Sequence, residues 1–163
     1  MKIVIVDDEP KIRNGLSKLL SSRPGFEVIG VFENAVEALE QLSVSYADVI
    51  ITDIKMPEIN GLDLINRIRE KDQNTKIIIL SGYSDFSFAQ RAIELGVTRY
   101  LTKPTNARDL IGILEEIEKN IQKTQSEEKQ EKKVTNLFVQ KAMDYISMNY
   151  SQKLTLTKIS EQL

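Results

Sequence analysis

Short runs of β-branched and other apolar residues recur through the first hundred positions of the chain. They are apolar almost throughout rather than alternating, which is typical of parallel strands that are covered on both faces. The pattern predicts five strands, at Lys2 to Val6, Glu27 to Val31, Asp48 to Thr52, Lys76 to Leu80 and Thr98 to Leu101.

Longer segments between and after these strands carry apolar residues at helical spacing. The first helix is expected to begin at Pro10, because proline is favoured at the first helical position. Asn34 with Glu37 resembles a capping box for the second helix, and Asp85 is expected to cap the fourth, which ends at Gly96. The helical faces are marked by Ile12, Leu16, Leu19 and Leu20, by Ala38, Leu39 and Leu42, by Leu64, Ile65 and Ile68, and by Leu110, Leu114, Ile117 and Ile121.

Five repeats of strand then helix determine the predicted fold class. A parallel crossover needs a dozen or more residues and is usually helical, so the elements predict an α/β domain with a doubly wound, parallel (βα)5 sheet. The expected strand order is 2-1-3-4-5, as in flavodoxin-like folds, with a helical extension at the C-terminus. Ligands of such sheets bind beyond the carboxyl ends of the strands where the winding reverses, here between strands one and three.

Three carboxylates follow the two strands at this point. Asp7 and Asp8 come after the first strand, and Asp53 comes after the third. Like charges at close range cost free energy, so such a cluster favours a bound cation. Oxygen ligands favour Mg²⁺, which keeps several waters and leaves positions for a phosphoryl oxygen. A lone pair of aspartates at a strand end is more often a loop or a helix cap, so further groups are needed.

Two further groups are predicted at the same edge of the sheet. Ser81 follows the fourth strand and Lys103 the fifth, which adds a hydroxyl and an ammonium. Alone, the serine would be a turn former and the lysine a surface charge, but together with the carboxylates they predict a phosphate site. An aspartate can accept a phosphoryl group when metal, lysine and hydrogen-bond donors offset the charge. Asp53, on the central strand, is the predicted nucleophile.

Composition narrows the chemistry further. The 163 residues suit one domain plus a small extra piece, and they include no cysteine and no histidine, so thiolates, disulfides and imidazole are excluded. No run of about 18 apolar residues exists, and we expect a cytoplasmic protein with no membrane partner. The formal net charge of -2 does not indicate a nucleic-acid binder.

The residues at these strand ends resemble a known family, the CheY-like receiver domains of two-component response regulators. The resemblance covers roughly residues 1 to 121. It implies that a sensor histidine kinase phosphorylates Asp53, and that the protein catalyses only its own phosphorylation and dephosphorylation and is otherwise not an enzyme. The matching motifs are Asp7-Asp8-Glu9, Asp53-Ile54-Lys55-Met56-Pro57 with Gly61, Ser81-Gly82 and Lys103-Pro104.

The resemblance also implies roles for individual residues. Asp8, Asp53 and the backbone carbonyl of Lys55 would ligate Mg²⁺ directly, while Asp7 would act largely through water. Phosphoryl oxygens would be bound by Ser81 and Lys103. Tyr100 would be the switch residue that changes rotamer with Ser81, although an ordinary strand aromatic packed on the core is the alternative. The Lys103–Pro104 bond is expected to be cis, as in the family.

The last third of the chain carries a different pattern. Residues 122–133 are polar but lack glycine and proline, which fits either a linker or an extension of the fifth helix. Residues 134–163 resemble the opening of an AraC-type helix-turn-helix domain, with a break expected near residues 149–151. The alternative is a dimerising or merely packed tail.

This tail makes the chain, as we interpret it, a fragment of a longer transcription regulator. The fragment lacks a recognition helix and has almost no net positive charge in its tail, so DNA is expected to bind only through the full-length output domain. A phosphorylation-dependent homodimer is left open.

Two rival functions remain. Phosphatases of the haloacid-dehalogenase kind also use an aspartate, Mg²⁺, a hydroxyl and a lysine, but they carry a second aspartate two residues after the nucleophile. Lys55 stands two residues after Asp53, and Glu9 two after Asp7, so this rival is disfavoured. A pseudo-receiver that only binds proteins would lack the complete pocket.

Overall fold

The computed structural model describes residues 1–82 and 86–149, in which five strands alternate with five helices. The strands are β1 Lys2–Val6, β2 Glu27–Phe32, β3 Val49–Thr52, β4 Lys76–Ser81 and β5 Arg99–Thr102. The helices are α1 Pro10–Ser21, α2 Ala35–Val44, α3 Gly61–Arg69, α4 Phe86–Glu94 and α5 Ala107–Asn149. The predicted α/β class is confirmed, and all five predicted strands are present with ends shifted by at most one residue.

The strands form one parallel sheet of order β2-β1-β3-β4-β5, as predicted. The winding therefore reverses between β1 and β3. Every residue of β3 and all but the first residue of β1 are buried, since helices cover both faces of the sheet. This burial explains why these strands are continuously apolar.

Local signals in the sequence set several helix ends. Pro10 is the first residue of α1. The Asn34 side chain accepts the Glu37 N–H at 2.9 Å and donates to the Glu37 carboxylate at 2.9 Å, so the predicted cap of α2 is confirmed. Gly96 follows α4 with φ +63°, a conformation that favours glycine. The predicted cap of α4, Asp85, lies outside the described residues.

The chain divides into two compact units, Met1–Glu115 and Glu116–Leu163, and the division falls within the last helix, α5. In the first unit its residues Leu110 and Leu114 are buried, as their spacing predicted. In the second unit residues 122–133 are helical. The AraC-like positions from 150 onward lie outside the described residues. No helix among the described residues is long and apolar enough to cross a membrane.

Candidate functional site

The register of the central strands brings two of the predicted carboxylates together. Val6 of β1 pairs with Thr52 of β3, so Asp7 and Asp53 each come directly after a paired residue. The Asp53 N–H donates to the Val6 carbonyl at 3.0 Å, and the Asp7 N–H donates to the Phe32 carbonyl at 3.1 Å. Sheet hydrogen bonding therefore continues one residue beyond each strand and fixes both aspartates at its edge.

The next pair of strands positions the hydroxyl and the ammonium. Ser81 pairs with Thr102, and the Lys103 N–H donates to the Ser81 carbonyl at 2.7 Å. The Lys103–Pro104 peptide bond is cis, as expected. Ser81 is fully buried at the end of β4.

The side chain of Lys103 extends to the carboxylates on the other strands. Its Nζ donates to Asp53 Oδ2 at 2.7 Å, to Asp7 Oδ2 at 2.9 Å and to Glu9 Oε1 at 3.1 Å. Only 13% of the lysine side chain is exposed, and Asp7 and Asp53 are 2% and 6% exposed. The structure thus places the predicted nucleophile and the predicted phosphate-binding lysine in direct contact.

Burial and hydrogen bonding shift the pKa values of the groups in this cluster in opposite directions. Burial by itself lowers the pKa of Lys103, but the hydrogen bonds and negative charges of Asp53 and Asp7 outweigh it, so the pKa is raised. For Asp7, burial raises the pKa and outweighs the opposing effect of its bonds to Lys103 and to the Glu9 N–H. Lys103 is therefore charged at neutral pH, whereas ionisation of Asp7 costs free energy because its carboxyl group is buried.

The three predicted metal-binding aspartates do form a cluster. Oxygen atoms of Asp7, Asp8 and Asp53 all lie within 4.8 Å of one another. Asp8 is exposed, whereas the other two are buried. Three carboxylates around one edge of the sheet offer the oxygen donors and negative charge that suit Mg²⁺, so the donor set fits the expected metal.

The backbone around Asp53 is tightly enclosed. Asp53 Oδ1 accepts the Ile54 N–H at 2.6 Å, and the Ile54 carbonyl accepts the Gly61 N–H at 2.8 Å. A Cβ atom on Gly61 would lie 1.9 Å from the Asp53 carbonyl oxygen. The glycine in the sequence motif is therefore required because α3 begins against the backbone of Asp53.

Tyr100 lies on the strand beside the one that carries Ser81. It pairs with Ile79 of β4, is half-buried and packs against the main hydrophobic core. This location fits both predictions made for it, a switch aromatic and a packed strand residue, and its role stays a prediction.

Two residues near the site were not assigned a role from the sequence. Glu9 contributes the third carboxylate around Lys103, and Arg13 Nη1 donates to the Asp7 carbonyl at 2.7 Å. The spacing of Glu9 and Arg13, four positions apart at the start of α1, would have placed them on one helical face. Their contacts with the strand ends depend on how α1 crosses the sheet edge.

A parallel sheet of this order, with clustered aspartates and a lysine at its carboxyl edge, defines a CheY-like receiver module. Residues 3–115 match the family model described as "Response regulator receiver domain". The chain belongs to this family of signalling modules, and the resemblance found in the sequence is confirmed.

Individual relatives support the same assignment. The "Uncharacterized transcriptional regulatory protein YesN" of Bacillus subtilis is 37% identical over 117 residues, which are 71% of this chain and 32% of that protein. The "Transcriptional regulatory protein HptR" of Staphylococcus aureus is 31% identical over 99% of this chain and 69% of its own length. The receiver domain of AraT, a response regulator from Geobacillus stearothermophilus, superposes with a TM-score of 0.68 at 36% identity, covering 76% of this chain and 97% of that one. The chain thus spans only about a third of YesN.

Proposed function

We propose that Asp53 accepts a phosphoryl group from a sensor histidine kinase and that its phosphorylation state controls a transcriptional output. The observation that carries this proposal is the contact of Lys103 Nζ with both Asp53 and Asp7, at 2.7 and 2.9 Å, within a cluster of oxygen ligands. A nucleophilic carboxylate, a charge-neutralising ammonium and a place for a metal are the groups that phosphoryl transfer needs.

In the proposed reaction a carboxylate oxygen of Asp53 attacks phosphorus. The new oxygen–phosphorus bond forms as the bond between phosphorus and the kinase's histidine nitrogen breaks, and the imidazole leaves with the bonding electrons. Lys103 needs only a small movement, because its ammonium already contacts the attacking group. It would exchange carboxylate oxygens for a phosphoryl oxygen, and the hydroxyl of Ser81 would bind another.

Asp8, Asp53 and the backbone carbonyl of Lys55 are the proposed direct ligands of Mg²⁺, with Asp7 acting largely through water. When bound, Mg²⁺ would offset the negative charge that gathers on the phosphoryl group. The excess of carboxylates over ammonium groups around Lys103 supports a need for this additional positive charge.

Ser81 and Tyr100 are the proposed readout of phosphorylation. Ser81 would move toward the phosphoryl group, and the half-buried ring of Tyr100 on the next strand would fill the space that is freed. The surface around α4, β5 and the first unit's part of α5 would then change shape.

We further propose that the receiver occupies about residues 1–121 and is joined through the helical residues 122–133 to an AraC-type DNA-binding domain that begins near residue 134. The relatives YesN and HptR, both named as transcriptional regulatory proteins, support a transcriptional role. DNA contact would require the full-length output domain.

The deciding experiment adds acetyl phosphate and Mg²⁺ to the 163-residue chain and measures its intact mass. We expect a gain of one phosphoryl group that disappears in Asp53→Asn and persists in the matched variant Asp63→Asn, whose carboxylate is exposed on α3. An adduct that survives in Asp53→Asn would remove the central claim.

The same samples separate the rival functions. Steady turnover of a phosphate ester by the wild type, lost in Asp53→Asn, would favour a phosphatase. No adduct and no Mg²⁺ response would favour a module that only binds proteins. Tight, sequence-specific binding of the 163-residue chain to a DNA duplex would contradict the proposed location of the output.

A further inference from the structure

Arg13 lies near the start of α1, beside the carboxylate cluster but not in it. Its guanidinium Nη1 donates a hydrogen bond to the main-chain carbonyl of Asp7 at 2.7 Å. Its own main-chain N–H donates to the carbonyl of Glu9 at 3.0 Å. The Arg13 side chain therefore holds the carbonyl of Asp7, whereas its main-chain bond to Glu9 is an ordinary first-turn bond of α1 that does not depend on the side chain.

Asp8 is the member of the acidic cluster that most depends on such support. The Asp7 carboxylate is buried and held by the Glu9 N–H at 2.9 Å and by Lys103. Asp8 is exposed, so core packing does not fix its side chain. The direction of its carboxylate depends on the main chain on either side of it, and the peptide group that joins Asp7 to Asp8 carries the carbonyl that the Arg13 side chain holds.

The contact uses two nitrogens of one guanidinium group. A second guanidinium nitrogen, Nη2, lies 3.6 Å from a carboxylate oxygen of Glu33, directly after β2, and only 14% of the Arg13 side chain is exposed. One planar group thus hydrogen-bonds the residue after β1 and forms an ion pair with the residue after β2, whose side chain is largely exposed. A lysine offers a single ammonium and cannot reproduce both contacts in one plane.

We propose that Arg13 is a positioning residue for the metal site, holding the Asp7 carbonyl so that the Asp8 carboxylate is oriented to ligate Mg²⁺. This inference rests on the proposed function, because it assumes that Asp8 and Asp53 bind the metal. Groups that hold a metal ligand from behind typically change metal affinity by 10- to 100-fold when removed.

The test titrates Mg²⁺ into the phosphate-free 163-residue chain and follows the amide resonance of Asp53 by NMR. We expect Arg13→Gln to raise the Mg²⁺ dissociation constant about tenfold, with a smaller rise for Arg13→Lys. The matched control is Lys18→Gln, which removes an exposed positive charge from the same helix and should bind Mg²⁺ like the wild type.

A second measurement separates positioning of the metal from general damage. The rate of labelling by acetyl phosphate in Arg13→Gln should fall at low Mg²⁺ and return to within about twofold of wild type at saturating Mg²⁺. A rate that stays low at every Mg²⁺ concentration would contradict the inference, as would equal Mg²⁺ affinity in Arg13→Gln and Lys18→Gln.

The outcomes also distinguish this inference from the proposed function. If the wild type shows neither a Mg²⁺ response nor an adduct, the site itself is wrong and the inference falls with it. If the wild type responds and Arg13→Gln responds equally, only the inference is wrong. Should Arg13→Gln fail to fold, Arg13→Lys decides, because it keeps the charge and the aliphatic stem.

Discussion

The Nζ atom of Lys103 lies 2.7 Å from Oδ2 of Asp53, although the two residues are 50 positions apart and follow different strands. The same ammonium contacts Asp7 at 2.9 Å. Lys103 is therefore the counter-charge of two buried carboxylates, Asp7 and Asp53. In the proposed reaction it would serve the phosphoryl group in the same place.

Replacing Lys103 by methionine should therefore affect both stability and chemistry. At neutral pH we expect a loss of unfolding free energy on the order of 2 kcal/mol, because two buried carboxylates lose their counter-charge. Mg²⁺ should restore much of this loss, and the rate of labelling by acetyl phosphate should fall by at least about tenfold even in saturating Mg²⁺. Urea denaturation with and without Mg²⁺, together with intact mass, measures these effects.

The control for this variant is Lys71→Met, at an exposed position just after α3. It should change the free energy of unfolding by no more than about 0.5 kcal/mol and leave the labelling rate within about twofold of the wild type. Equal Mg²⁺ stabilisation of Lys103→Met and wild type would show that the lysine does not balance the charge of Asp7 and Asp53.

Gly61 and Gly15 form a matched pair for testing the close approach of α3 to Asp53. Gly61→Ala would place a Cβ 1.9 Å from the Asp53 carbonyl oxygen, so we expect a loss of about 2 to 3 kcal/mol and slower labelling of Asp53. Gly15 lies within α1 with nothing within 4 Å of an added Cβ, and its change to alanine should stabilise the fold by about 0.5 to 1 kcal/mol. Urea midpoints that shift equally for both variants would contradict this account.

Much of the fold was predictable because the apolar runs in the sequence mark the strands that the sheet buries. The strands β1, β3 and β4 are buried on both faces and are therefore continuous apolar runs in the sequence. The residues of the site directly follow strand ends or stand at them. The fold places Asp7, Asp53 and Lys103 after the ends of paired strands, so the cluster followed from their positions in the sequence.

Other contacts were not predictable, since they depend on how elements approach one another. The hydrogen bond from Arg13 to the Asp7 carbonyl depends on the path of α1 over the sheet edge. The contact of Gly61 with Asp53 depends on the loop before α3, where Glu58 adopts φ 64° without being a glycine. A helical pattern identifies a helix, but it does not give the side-chain contacts at its ends.

Arg69, the last residue of α3, provides a third prediction. Its guanidinium donates to the carbonyls of Asp72, Thr75, Leu95 and Gly96 at 3.1, 2.9, 3.1 and 3.3 Å. Arg69→Lys should cost about 1 to 3 kcal/mol, because one ammonium cannot satisfy four carbonyls held in different directions.

The loss in Arg69→Lys should be local as well as global. Amide hydrogen exchange should accelerate at Gly96 and Val97, whose N–H groups bond back to α4, beyond the change that global stability explains. Arg67→Lys, exposed on the same helix, is the control and should leave exchange unchanged. Unfolding free energies and exchange rates that match between the two variants would show that the Arg69 contacts are dispensable.

The Asp72 carboxyl group, which lies close to Arg69, makes the stability of the fold depend on pH. Burial raises its pKa, but hydrogen bonds from the Thr75 side chain and from the N–H groups of Asn74 and Thr75, with the charge of Arg69, outweigh burial and lower the pKa overall. A carboxyl with a lowered folded-state pKa stabilises the fold above its unfolded pKa of about 3.9 and loses that effect as pH falls through the folded pKa.

We therefore expect Asp72→Asn to lower the free energy of unfolding by on the order of 1 kcal/mol between pH 5 and 8. The gap between variant and wild type should close below about pH 4. Urea denaturation across pH measures this gap. An unchanged gap for Asp72→Asn down to about pH 2.5 would contradict the linkage.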